Sequence, residues 1–447
     1  MTGIADIQAS RLPAAALQDN FADAHPPLTR HQALVESDRC YFCHDAPCVK
    51  ACPTGIDIPS FIRKIGTGNV KGAASDILTA NIMGGMCSRV CPTEILCERD
   101  CVRNSAEEKP VNIGELQRYA TDWLFANNIQ LFQRAAATGK KVAIVGAGPA
   151  GLACAHKLAT LGHDVTIFDA KPKAGGLNEY GLAAYKTPND FAQSEIAYLL
   201  AVGGITIEAG KALGRDFTLA DLRGQYDAVF LGLGLGGVNG LGVAGDDLAG
   251  VENAVDFIAR LRQSDKASVP VGRRVVVIGG GNTAIDAAVQ SKRLGAEEVT
   301  LVYRRGQDQM SATWVEREWA QTNGVTVRLW AQPVSVTGQD GAVTGVSFET
   351  TELNEAGKLV GTGKSFTLAA DQVLKAIGQV FVPEILGGGA DAPALSGGRI
   401  QVDSERRTSV PGLWAGGDCV AGGQDLTVAA VEDGKQAALS IHRALLG

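Results

Sequence analysis

Eight of the ten cysteines in this 447-residue chain fall between Cys40 and Cys101, while Cys154 and Cys419 stand apart. They run Cys40, two residues, Cys43, four, Cys48, three, Cys52-Pro53, then Cys87, three, Cys91-Pro92, and further on Cys97, three, Cys101. In a reducing compartment such a group reads as metal or cluster ligands before a disulfide framework. Ferredoxin-type runs also put three residues ahead of a final Cys-Pro, and that last cysteine serves the other cluster. Two iron–sulfur clusters with exchanged ligands are therefore expected. Structural zinc also suits two-residue spacings, but zinc cannot carry electrons.

Two glycine turns supply the second kind of chemistry. The strand Lys141 to Val145 runs into Gly146-Ala147-Gly148-Pro149-Ala150-Gly151, a helix follows, and Asp169 closes the next strand 23 residues after Gly146. In this pattern Gly146 makes the tight turn and Gly148 lets backbone approach a pyrophosphate. Gly151 lets helix and strand pack closely, and the carboxylate accepts from ribose hydroxyls. Gly175-Gly176-Leu177 and Gly417-Asp418 match the further flavin contacts of reductases with two dinucleotide folds, so FAD is expected here. The second turn, Gly279-Gly280-Gly281-Asn282-Thr283-Ala284, follows the strand Arg274 to Ile278. Its next strand ends Tyr303-Arg304-Arg305 where a NAD-selective fold places an acid, which leans toward the 2′-phosphate of NADPH. A basic rim at a strand end gives the same residues, so NADH stays open. The histidines sit in no ligand or nucleophile motif, and no general base is assigned. Hydride exchange between nicotinamide and flavin needs positioning, not a protein acid.

The elements that must hold these residues divide the chain. Residues 1 to about 35 read as an arm with some helix. The cysteine region looks all-helical, with helices opened by Asp57-Ile58-Pro59, over Val70 to Thr79, and over Ile113 to Phe132. From Lys140 the strand, turn, helix, strand unit occurs twice, and the segment after Pro411 returns to the first copy through Gly412 to Ala415 and a helix from Thr427 to Leu446. The expected class is α/β: an N-terminal all-α iron–sulfur domain (residues 1–139) and two Rossmann-like dinucleotide domains. The FAD-binding domain is 140–265 with 386–447, and the NAD(P)H-binding domain, 266–385, is inserted into it. Net charge is −7, from 41 basic and 48 acidic residues, and 45% of residues are hydrophobic. Nucleic-acid binding and disorder lose ground on these values. No apolar run is long enough to span a bilayer, and Met1 to Leu17 lacks the build of a secretory leader, so a cytoplasmic protein is expected.

The order of cysteine domain, FAD fold and inserted NAD(P)H fold resembles the small subunit of glutamate synthase and the N-terminal half of dihydropyrimidine dehydrogenase, from Arg39 to the end. Several stretches are closer to dihydropyrimidine dehydrogenase: Asp45-Ala-Pro-Cys48, Cys52-Pro-Thr54, Asp57-Ile-Pro-Ser-Phe61-Ile62, Val111-Asn-Ile-Gly114, Phe230-Leu-Gly-Leu-Gly-Leu235 and Asp433-Gly-Lys-Gln436-Ala437. The segment from Gly175 to Lys186 resembles the separate flavin subunit of the bacterial form. The resemblance implies one [4Fe-4S] cluster on Cys40, Cys43, Cys48 and Cys101, and a second on Cys52, Cys91, Cys97 and the side-chain oxygen of Gln117. Eight cysteines would fill two four-cysteine sites unaided, with Cys87 a ligand. The family leaves that position unligated, and Gln117 stands in the matching Asn-Ile-Gly-Glu-Leu-Gln context. The loop from Cys419 to Leu426 is a residue longer than in the family, which weakens Thr427 as a contact near the flavin ring.

The fused enzyme carries a further FMN-binding barrel with the pyrimidine site and another pair of clusters, and this chain stops after the flavin fold. The resemblance thus implies an electron-input subunit. It would feed an FMN- and iron–sulfur-containing partner in a hetero-oligomer, where uracil or thymine is reduced to the 5,6-dihydro form. The alternatives are a glutamate synthase small subunit or related NADPH:ferredoxin-type oxidoreductase, and a redox-sensing module with structural clusters.

Overall fold

The computed structural model describes residues 6–447. Residues 1–5, where the leader question begins, lie outside the described residues. The chain forms two compact units. One gathers the arm up to Ala24, Tyr180–Pro188 and Gly237–Val380; the other gathers His25–Glu179, Asn189–Gly236 and Phe381–Gly447.

In the larger unit, short helices precede a five-stranded parallel sheet ordered Leu413–Ala415, Ala228–Leu231, Lys141–Val145, Asp164–Asp169, Ile205–Ala209. Continuous apolar runs such as Ala228-Val-Phe-Leu231, buried throughout, suit a parallel sheet covered on both faces. The helices Pro149–Thr160 and Thr427–Leu446 pack on each other, and Gly434 allows it: a Cβ there would lie 2.1 Å from the Ala150 carbonyl oxygen. The helical segment has its own core around Phe61, Ile62, Ile77, Leu78 and Leu116. Its helix Ile58–Gly66 is capped by Asp57, whose side chain accepts from Ser60 N at 3.1 Å. The helix expected to reach Phe132 stops at Ala126. Asn128 turns left-handed there (φ 51°), and Ile129, Leu131 and Phe132 then pack on the core outside the helix.

The smaller unit repeats the theme. Its five-stranded parallel sheet runs Thr326–Arg328, Glu298–Val302, Arg274–Gly279, Gln372–Ala376, Val251–Asn253. A three-stranded antiparallel sheet (Ala331–Gln339, Ala342–Leu353, Leu359–Ala369), which the sequence reading did not anticipate, joins it. The arm belongs to this unit: Ile7–Gln8 pairs with Val271–Gly272, and Leu17 and Phe21 enter the core. Among the described residues no helix is long and apolar enough to cross a membrane.

Candidate functional site

The cysteines of the helical segment line two cavities. Cys40, Cys43, Cys48 and Cys101 surround one. Cys52, Cys87, Cys91, Cys97 and Gln117 surround another. Backbone breaks sort the side chains. Pro47 starts the helix Pro47–Ala51 that carries Cys48, and Cys52 caps its end in an extended conformation. Cys91 likewise ends the helix Gly84–Val90, where Pro92 follows and helps stop it. Phe42, left-handed at φ 52°, turns the chain between Cys40 and Cys43, and its amide donates to Cys40 Sγ at 3.4 Å.

The sulfurs sit in one another's field. Burial pushes the Cys48 thiol up to about 12, with Cys101 and Cys40 adding to it. A hydrogen bond with Cys87, then burial, raises Cys91; burial, then Glu98 and Cys52, raises Cys97. Soft donors gathered this way require a cationic partner to be held as thiolates. Among the described residues no three His, Cys, Asp or Glu side chains converge closely enough to grip a single ion. Two sets of soft sulfur donors, each lining one cavity, fit iron–sulfur clusters. Gln117 is buried on the helix Ile113–Ala126 and its Nε2 donates to Gly84 O at 2.7 Å, which leaves Oε1 as the amide's other end.

In the same unit the first glycine turn is held by sterics. Gly146 has φ 103°, and a Cβ there would sit 2.2 Å from Gly232 O. A Cβ on Gly151 would sit 1.9 Å from Gly146 O. Gly148 caps the helix that Pro149 opens, and Ala150 lies beside Gly417. Asp169 Oδ2 accepts from Ala147 N at 2.6 Å and Oδ1 from Lys171 N at 2.7 Å, so the carboxylate stands at the turn. Gly175 N donates to Ala147 O at 2.8 Å, bringing Gly176 alongside Gly148, with Leu177 next in the chain. Gly417 N donates to Asp433 Oδ2 at 2.9 Å, and Asp433 pairs with Arg406. Burial, then Asp425, pushes half-buried Asp418 up to about 7. Thr427 Oγ1 donates to Asn178 Oδ1 at 2.8 Å, and the next residue, Val428, lines the cavity of Cys52, Cys91 and Cys97. Sequence reasoning gave no role to Asp433, Arg406 or Val428. Asp433 could have been suspected from the Asp-Gly pair one helix turn after Ala430, but Val428 carried no signal of its own.

In the smaller unit, a Cβ on Gly279 would meet Ala376 O at 2.2 Å, and Gly281 caps the helix Asn282–Arg293, with Thr283 half-buried in its first turn. The segment after Arg305 folds back on this turn: Ala312 N donates to Gly280 O at 2.9 Å and Thr313 N to Asn282 Oδ1 at 3.3 Å. Arg304 and Arg305 have their carbonyls engaged by Thr351 Oγ1 and Trp330 N and their guanidinium groups exposed.

Comparison with known proteins matches residues 17–129 to the family described as dihydropyrimidine dehydrogenase domain II, 4Fe-4S cluster, and residues 140–434 to pyridine nucleotide-disulphide oxidoreductase. The NAD-dependent dihydropyrimidine dehydrogenase subunit PreT of Salmonella typhimurium is 37% identical over 96% of this chain and 98% of its own. The chain belongs to this PreT family. It is thus an oxidoreductase that joins an iron–sulfur domain to a pyridine-nucleotide domain. The glutamate synthase [NADPH] small chain of Escherichia coli is similar at 34% identity over 94% of this chain and 92% of its own. Among solved structures, Mycobacterium tuberculosis FprA in complex with NADPH shares the fold, with a TM-score of 0.56 at 20% identity over 68% of this chain and 84% of that one.

Proposed function

We propose that the chain is an electron-input subunit. It takes hydride from NAD(P)H onto FAD and passes single electrons through two [4Fe-4S] clusters to an FMN- and iron–sulfur-containing partner, which reduces uracil or thymine to 5,6-dihydropyrimidines. The observation that carries this reading is that two sulfur-lined cavities stand in the same unit as the flavin-type turn, one of them sharing its wall with Val428 beside that turn's loop. When bound, these groups supply hydride acceptance and its division into single electrons.

In this reading the residues of the larger unit bind and orient. Gly146, Gly148, Pro149, Ala150 and Gly151 present backbone and a helix N-terminus to the FAD pyrophosphate, and Asp169 faces its ribose. Gly176, Leu177, Gly417 and Asp418 close around the flavin, with Thr427 fixing Asn178 beside them. Cys52, Cys91, Cys97 and Gln117 hold the cluster nearer the flavin loop. Cys40, Cys43, Cys48 and Cys101 hold the other, and Ile58 lines both cavities. In the smaller unit Gly279, Gly281, Asn282 and Thr283 take the nicotinamide dinucleotide, with Arg304 and Arg305 suited to a 2′-phosphate. The boundaries proposed from sequence, 1–139, 140–265 with 386–447, and 266–385, were drawn for these three roles, whereas the compact units group residues 6–24, 180–188 and 237–265 with the nicotinamide site. Cysteine-held clusters favour the reducing cytoplasm, and the name of the relative as a subunit favours a hetero-oligomer.

The test is NADH and NADPH oxidation by the chain with its natural partner, given uracil in one arm and 2-oxoglutarate plus glutamine in the other. Uracil-dependent turnover is expected. Turnover only with 2-oxoglutarate and glutamine would move the chain to the glutamate synthase role. For the ligands, Gln117→Ala should perturb one cluster while Cys87→Ala leaves both, and the reverse would exchange their roles.

A further inference from the structure

We infer that Lys186 is a positioning residue for nicotinamide nucleotide binding, tying together the two helices whose N-termini frame the second glycine turn. The inference rests on reading Gly279–Asn282 as the nucleotide site. Lys186 lies in the segment Tyr180–Pro188, which the chain contributes to the smaller unit. Its side chain is 11% exposed, and Nζ stands 2.8 Å from Asp286 Oδ1 and 2.5 Å from Glu316 Oε1. Asp286 is one turn along the helix Asn282–Arg293, and Glu316 lies in the first turn of the helix Trp314–Thr322. Burial acts to strip the ammonium of its proton, but the carboxylates of Asp286 and Glu316 overcome it and hold Lys186 charged.

The contacts around this tie lead to the glycine turn. Asp286 Oδ2 accepts from Ala183 N at 3.1 Å and Gln290 Oε1 from Ala184 N at 2.9 Å, so the segment is seated on the first helix. Arg293 stacks on Tyr185, whose ring tilts against Trp319 of the second helix. The second helix is capped by Thr313, whose Oγ1 accepts from Glu316 N and whose own amide donates to Asn282 Oδ1. Ala312 N holds Gly280 O. Without the ammonium, Asp286 and Glu316 lose the group that bridges them, and the second helix is no longer tied to the first where Ser311–Thr313 lies on Gly280–Asn282.

The experiment uses the flavin- and iron-loaded chain. Dissociation constants for NADPH and NADH, with KM and kcat for ferricyanide reduction, are measured for wild type, Lys186→Met and Lys186→Arg. Lys186→Met should raise KM and the dissociation constant about tenfold with kcat within about twofold, and Lys186→Arg should recover most of the loss. A lowered melting temperature with KM unchanged would make Lys186 merely structural and overturn the inference. If Lys186→Met does not fold, Glu316→Gln, which keeps the shape and removes one charge, should raise KM about threefold, and an unchanged KM overturns it. Gly281→Val separates the two ideas: if it leaves dinucleotide binding intact, the site reading itself fails. Its loss together with an unaffected Lys186→Met sinks only the inference.

Discussion

Gly148→Ala separates a glycine required by the protein from one required by its ligand. Gly148 has φ −79° and ψ −177°, a conformation open to alanine, and a methyl there would meet nothing closer than Gly176 Cα at 3.9 Å. The apo fold should therefore lose at most a few tenths to about 1 kcal/mol, the scale of an N-cap change. A pyrophosphate laid on this backbone would meet the methyl directly. Intrusion into a filled space costs about 1–3 kcal/mol, or roughly 5- to 150-fold in FAD affinity. Gly151→Ala is the contrast, because its methyl would stand 1.9 Å from Gly146 O and break the turn itself. The assay is flavin-to-protein ratio at limiting FAD, paired with thermal melts of the apo chains. Gly148→Ala should lose FAD with its apo melt almost unchanged, and Gly151→Ala should lose both. Wild-type FAD affinity in Gly148→Ala would refute the reasoning.

Further outcomes follow from the same structure. Phe61 is fully buried in the helical core, so Phe61→Ala should cost about 3–5 kcal/mol and release iron from both cavities; a stable, iron-loaded variant would contradict that. Burial pushes Glu195 up to about 7 from its ordinary 4.5, against the amides of Met86 and Gly85. Its folded value exceeds its unfolded one, so the stability it contributes is full below about 4.5 and is lost as pH rises through about 7. On the order of 3 kcal/mol is involved, so the stability of Glu195→Gln relative to wild type should rise by about that much between about pH 5 and 8; a difference between the two that stays constant with pH would be inconsistent. Replacing Arg304 and Arg305 by serine should weaken NADPH by at least about tenfold and spare NADH, and equal losses would mean the pair reads no 2′-phosphate.

The α/β class and the two strand-turn-helix units were legible because local rules enforce them: Asp57 and Pro59 open a helix, Gly146 admits a turn no other residue tolerates, and Thr427 begins the last helix where expected. Spacing alone could not divide the eight cysteines, since a linear count does not record which way the chain turns at Cys52 or Cys91. The cavity walls depend on those turns, and they bring Cys87 and Gln117 to the same side. The sheet from Ala331 to Ala369 was missed because its strands are half-exposed and bulged, which blurs the period of two. The seating of Tyr180–Pro188 rests on contacts about a hundred residues distant, and no local pattern announces such a pairing.

The most direct test is composition and colour of the chain purified without oxygen, followed by addition of NADPH or NADH. About eight iron atoms and one FAD per chain are expected, with visible absorbance that bleaches when the nicotinamide is added. Zinc in place of iron, or a chain that stays colourless, would contradict the proposed relay.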